Sequence, residues 1–219
     1  MANEKIIKAF LGGRCPVCAL LRQDEFDYLC HWVGVSGEKY KNSEERNRIL
    51  RASGFCNYHF WEFEKISSNY GSAEICIGLI ENIIDNLRNQ REKSQLLHSQ
   101  ENRIGLNCPV CADLKAKESD YFKELVSLLG SHENRIRYTE GWGLCIPHLI
   151  KAMAYTNDAS LVLFLLETEK KQLERVKMDA LELIRKKNPP LRWEQTDDEK
   201  NSGFRAIEKL VGRRGQKNE

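Results

Sequence analysis

Cys15-Pro16-Val17-Cys18 and, 93 residues later, Cys108-Pro109-Val110-Cys111 are the same four residues written twice. Each is followed by a second shared segment, Gly54-Phe55-Cys56-Asn57-Tyr58-His59 and Gly143-Leu144-Cys145-Ile146-Pro147-His148, offset by 89. Two motifs repeated in one order argue for a tandem duplication. Downstream of the first Cys-x-x-His, Ala73, Cys76, Ile77, Ile80, Ile83, Ile84 and Leu87 form an apolar stripe with helical spacing. Val162, Leu166, Leu173, Val176, Ala180, Leu183 and Ile184 do the same in the second copy. Ser72 and Asp158 stand before these runs as expected N-caps, and Pro189-Pro190 stops the second. Between the motifs, Phe26, Leu29 and Val33, then Tyr121, Leu125, Leu128 and Leu129, predict a helix in each copy.

One repeat therefore reads as a cysteine turn, a helix, a polar loop, a second helix opened by Cys-x-x-His, and a long third helix. Alternating patterns and Asn-Gly or Asp-Gly hairpin turns are missing, which favours an all-α fold of two homologous three-helix repeats. The expected divisions are 1–99 and 100–190 for the repeats and 191–219 for a tail. That tail reads as a polar linker, a short helix carrying Phe204, Ile207, Leu210 and Val211 that ends at Gly212 and docks onto the bundle, and a basic terminus.

The repeated residues are metal-ligand chemistry. In Cys-Pro-x-Cys the proline fixes one φ and favours a tight turn that aims both sulfurs at one point. At a helix start, Cys56 with His59, and Cys145 with His148, lie at i and i+3 on one face. Free N–H groups and the dipole at a helix N-terminus favour the thiolate. Cys15, Cys18, Cys56, His59, Cys108, Cys111, Cys145 and His148 are thus the candidate ligands of two Cys3His sites. The expected cofactor is two zinc ions per chain. An iron–sulfur cluster can use such ligands, and Cys-Pro-x-Cys is also a redox motif, although the βαβ setting of that motif is missing here. Spacing leaves open whether each site closes within one repeat or across the two.

Composition sets the limits. The chain has 219 residues, 41% hydrophobic and 30% charged, which describes a globular protein with a heavily charged surface. Met1 to Phe10 carries charges through a short apolar pattern, so no secretory signal is expected, and Leu161 to Leu166 is too short an apolar run to span a bilayer. Cytoplasmic residence follows as the expectation. Eight cysteines in that compartment point to metal or redox chemistry rather than structural disulfides. Six thiolates and two divalent ions bring the formal charge of +2 to zero, so a basic nucleic-acid binder is not indicated. Cys76 reads as a core thiol and Cys30 as a helix position near the core. His98 and His132 read as solvated, and Trp32, Trp61 and Trp142 as shields of the sites. No His-Glu-x-x-His, Gly-x-Ser-x-Gly or phosphate-binding glycine loop gives support to an enzyme.

The paired motifs, together with Arg205-Ala206-Ile207-Glu208-Lys209-Leu210-Val211-Gly212 near the end, resemble a prokaryotic family of unknown function over nearly the whole chain. The resemblance implies the same eight metal ligands and no reaction. The expected role is a binding or scaffolding module whose zinc ions hold helices in place for an unknown protein partner, without membrane or nucleic acid.

Overall fold

The computed structural model describes residues 2–34, 44–52, 54–89 and 107–213. The first copy supplies α2 (Pro16–Gly34), α3 (Glu44–Arg51), α4 (Asn57–Ile66) and α5 (Asn69–Asn89), preceded by α1 (Ala2–Phe10). The second supplies α6 (Pro109–Leu128), α7 (His132–Glu140), α8 (Ile146–Ala154) and α9 (Ala159–Arg185). A 3-10 turn (Leu191–Glu194), α10 (Asp197–Lys200) and α11 (Ser202–Val211) follow. There is no strand among the described residues, so the fold is all-α, as the missing strand signals predict. The helix order is the same in the two copies. Each also carries a short helix, α3 or α7, where the sequence suggested a polar loop.

The chain forms two compact units, one from Met1–Arg22 with Glu118–Glu219, the other from Gln23–Lys117. Repeats in sequence and units in space are therefore cut differently. α2 and α6 each pass from one unit into the other without a break.

In the Gln23–Lys117 unit the core is Leu29, Trp32, Ile49, Phe55, Phe63, Ile75 and Leu79, joined by Cys56, Cys108 and Val110. Phe55 is the centre of an aromatic cluster, with rings of Phe60, Phe63 and Trp32 at 5.3, 5.7 and 6.1 Å. In the other unit Phe10 of α1 meets Tyr138 of α7 edge-on at 5.4 Å, and Leu161 and Leu165 of α9 are buried. α9 starts where Asp158 accepts from Ser160 N at 2.8 Å, as the N-cap reading expected. α5 starts earlier than expected. Ser68, not Ser72, takes the position before its first residue and accepts from Gly71 N at 3.1 Å.

Three apolar stripes run differently from their sequence reading. On α5, Ile75 and Leu79 face inward, while Ala73, Ile77, Ile80 and Ile84 are exposed and Cys76 is half-buried; the Leu87 side chain lies outside the described residues. On α9, Val176 is buried, but Leu166 and Ile184 face solvent. On α2, Phe26 is exposed beside buried Leu29. α11 does dock against α8 and α9, but Phe204, Ile207, Leu210 and Val211 all remain exposed. Its inward face is polar instead: Ser202 and Lys209 are buried, and Arg205 pairs with Asp179 at 2.8 Å.

The short helix α3 is anchored by Ile49, which is fully buried. Ile49→Ala is expected to cost about 2–5 kcal/mol of unfolding free energy. A denaturant midpoint that moves by the equivalent of less than about 0.5 kcal/mol would place Ile49 outside the core.

Candidate metal centres

Each ligand pair is built by the start of a helix. Pro16 and Pro109 occupy the first position of α2 and α6, where a fixed φ suits the helix and a missing N–H costs nothing. The carbonyls of Cys15 and Cys108 accept from Ala19 N and Ala112 N at 3.0 and 3.1 Å, so these cysteines hold the N-cap place. Cys56 and Cys145 are the N-cap residues of α4 and α8. The second ligand of every pair, Cys18, Cys111, His59 or His148, comes three residues later, one turn along the same face.

Gly54 and Gly143, two residues before each Cys-x-x-His pair, have φ of 89° and 74°. A Cβ on Gly54 would lie 2.9 Å from the Phe60 ring, and one on Gly143 would lie 2.4 Å from a Glu169 carboxylate oxygen. Both conformation and space require glycine.

The pairs combine across the copies. Cys15, Cys18, Cys145 and His148 form one cluster and Cys56, His59, Cys108 and Cys111 the other, each with its four donor atoms within 4.8 Å of one another. Every donor belongs to the same compact unit as its partners. His148 Nδ1 lies 3.2, 3.4 and 3.3 Å from the sulfurs of Cys15, Cys18 and Cys145. His59 Nδ1 lies 3.2, 3.4 and 3.3 Å from those of Cys56, Cys108 and Cys111. Sulfur pairs stand 3.8 Å apart in the first site (Cys18 and Cys145) and 3.7 Å apart in the second (Cys56 and Cys111). A tetrahedral ion bound at about 2.3 Å by sulfur and about 2.0–2.1 Å by nitrogen spaces its sulfurs about 3.8 Å apart, and sulfur from nitrogen about 3.5 Å. The residues present fit one ion per site.

Behind each imidazole stands a carboxylate. His59 Nε2 meets Glu25 at 3.1 Å, and His148 Nε2 meets Glu118 at 3.0 Å, where Lys151 also donates at 3.0 Å. Such a partner fixes which ring nitrogen faces a metal and raises its basicity. Burial lowers both imidazoles, but hydrogen bonds to Cys108 and Glu25 for His59, and to Cys15 and Glu118 for His148, together with the nearby negative charge outweigh it, lifting His59 to about 10 and His148 to about 9. The crowded thiols split. Hydrogen bonds from Cys15 and Cys18 hold Cys145 down to about 4, and one from Cys111 holds Cys108 down to about 3. Cys18, hydrogen-bonded to Cys145 and Cys15, and Cys111, hydrogen-bonded to Cys108, are pushed far above the usual thiol range. A divalent cation relieves this competition by taking the place of the protons.

Sequence reasoning missed Glu25 and Glu118. The signal was there, because they stand at the same 93-residue offset as the cysteine turns, seven residues beyond Cys18 and Cys111. It also missed what supports Cys145. Glu169, buried on α9, accepts from Tyr138 Oη and Leu144 N at 2.6 Å each and from Lys209 Nζ at 2.5 Å. Lys209 donates to Trp142 O at 2.8 Å and lies 4.1 Å over the Trp142 ring. Together they clamp the Trp142–Leu144 backbone that enters the site. Leu79 of α5 approaches Gly54 as Glu169 approaches Gly143, so an apolar contact in one copy stands where the other has an ion pair. Of the tryptophans, Trp32 and Trp142 are buried, whereas Trp61 is exposed. Cys30 is half-buried, and Cys76 lines a cavity of about 200 Å3 with Phe60, Trp61 and Phe63. His132 is exposed, and His98 lies outside the described residues.

Lys209→Met leaves the Glu169 charge buried without its ammonium partner, so a loss of about 3–5 kcal/mol in stability is expected. Adding Glu169→Gln, which removes the charge but keeps an acceptor for Tyr138 Oη and Leu144 N, should restore most of it. Equal losses in the single and double variants would show that the ion pair is not what holds this turn. No characterised protein and no solved structure gave a significant match to the chain. A family model does match, over residues 9–217, and the chain belongs to that family, described as a family of unknown function (DUF6062).

Proposed function

We propose that the protein binds two zinc ions, one in each Cys3His cluster, and that it works as a metal-stapled helical scaffold for a protein partner. The observation that carries the reading is the orientation of the two histidines. Each turns Nδ1 toward three sulfurs at 3.2–3.4 Å and Nε2 toward a glutamate. Three thiolates and an imidazole fill all four positions of a tetrahedral ion, and their negative charge makes it a poor Lewis acid. A closed site of this kind supports structure rather than hydrolysis. The staple joins the first helix of one copy to the Cys-x-x-His helix of the other, rather than two helices of one repeat.

The rival is iron. Four donors within 4.8 Å suit a single ion, whereas a cluster spreads its ligands over several irons, which favours zinc over a polynuclear centre. No helix among the described residues is long and apolar enough to cross a membrane. That is compatible with work in the cytoplasm, where free thiols persist.

Elemental analysis of the purified chain is expected to return two zinc ions; one or none in a soluble, helical sample would sink the reading, and a brown sample with iron would replace zinc. Cys56→Ser and Cys145→Ser should each lose one ion, and chelation should lower helicity and heat stability together. An apo chain as helical and heat-stable as the loaded one would overturn the structural role.

A further inference from the structure

α2 and α6 each serve both clusters. The first turn of α2 gives Cys15 and Cys18 to the site completed by His148, and two turns later the same helix gives Glu25 to His59 of the other site. α6 gives Cys108 and Cys111 to the site completed by His59, and two turns later gives Glu118 to His148. Seven residues of α-helix span about 10 Å, and within that length backbone hydrogen bonds hold one end in register with the other. Glu25 is buried at 6% exposure, so its contact with His59 has little room to re-form if the helix turns or frays. The exchange is reciprocal: each site receives sulfurs from one of these helices and its outer carboxylate from the other.

Resting on the metal reading above, we propose that Glu25 and Glu118 are positioning residues that couple the two sites, so that filling one cluster sets the helix that orients the histidine of the other. The two ions then bind cooperatively. Binding at Cys15 and Cys18 locks the start of α2 and fixes Glu25 against His59; binding at Cys108 and Cys111 locks the start of α6 and fixes Glu118 against His148. A shared helix needs no second conformation to transmit this, only less fraying when its first turn is tied to an ion. The coupling must also be mutual, because linkage makes each ion's effect on the other equal.

The test is a zinc titration of the full-length apo chain against a chromophoric chelator, with helicity followed by circular dichroism. The intact chain is expected to take up two ions in one cooperative step. Glu25→Gln keeps the shape and removes the charge, and should weaken one ion about 10- to 100-fold and split uptake into two steps, at unchanged helicity in the loaded chain. Cys15→Ser with Cys18→Ser should leave one ion, held more weakly than in the intact chain by about the same 10- to 100-fold, and adding Glu25→Gln should then change little because the losses overlap. Two independent uptake steps in the intact chain, or an additive effect of Glu25→Gln on the cysteine double variant, would overturn the coupling while leaving the metal reading intact. No zinc uptake by the intact chain would instead sink the metal reading. Should the cysteine double variant fail to fold, the intact chain decides: uptake steeper than that of two independent sites supports the coupling, and uptake that two independent sites describe overturns it.

Discussion

Two helix N-termini meet at each cluster, and the rest of the structure is arranged around that meeting. A helix start carries roughly half a positive charge and several N–H groups without intrahelical partners. Two such starts, facing each other through cysteines in their N-cap places, make an environment in which thiolate is favoured over thiol. The glycines at 54 and 143, the prolines at 16 and 109, and the clamp of Glu169 and Lys209 all serve to deliver those four helix ends with their ligands one turn apart. Without a cation among them, three sulfurs at van der Waals distance would carry charge and protons that crowd one another.

The two Cys/His groups were legible in the sequence as candidate ligands because each motif is local. Cys-Pro-x-Cys and Cys-x-x-His each place two donors within four residues, and repetition of both motifs singled out eight residues that the structure gathers into two groups. Which pair joins which was not legible, since Cys18 and Cys145 are 127 residues apart and identical motifs carry no label for their partner. The absence of strands and the long helices were legible from periodicity. Short α3 and α7 were not, because their apolar anchors are few: Ile49 in one and Tyr138 in the other.

The misread faces have a physical explanation as well. α5 carries isoleucines or leucines at 75, 77, 79, 80, 83 and 84, so two overlapping stripes satisfy the helical period and only packing against α3 and α4 chooses between them. α11 looks amphipathic, yet its core-facing side is set by Lys209, whose ammonium finds Glu169, the Trp142 carbonyl and the Trp142 ring. A buried lysine looks like a surface residue in sequence until its partner is known. Leu79 beside Gly54 and Glu169 beside Gly143 support the two turns by different means: an apolar contact in one, and in the other a carboxylate neutralised by Lys209 of α11.

Gln23–Lys117 lies, along the sequence, between the two stretches that form the other unit, and this orders events as the chain leaves the ribosome. Cys15 and Cys18 emerge first and are the last to be completed, since their partners Cys145 and His148 follow well over a hundred residues later. Cys56, His59, Cys108 and Cys111 all emerge in that interval and can close first. During synthesis the leading sulfur pair therefore stands without its Cys145 and His148 partners for the whole time that the intervening unit is being made.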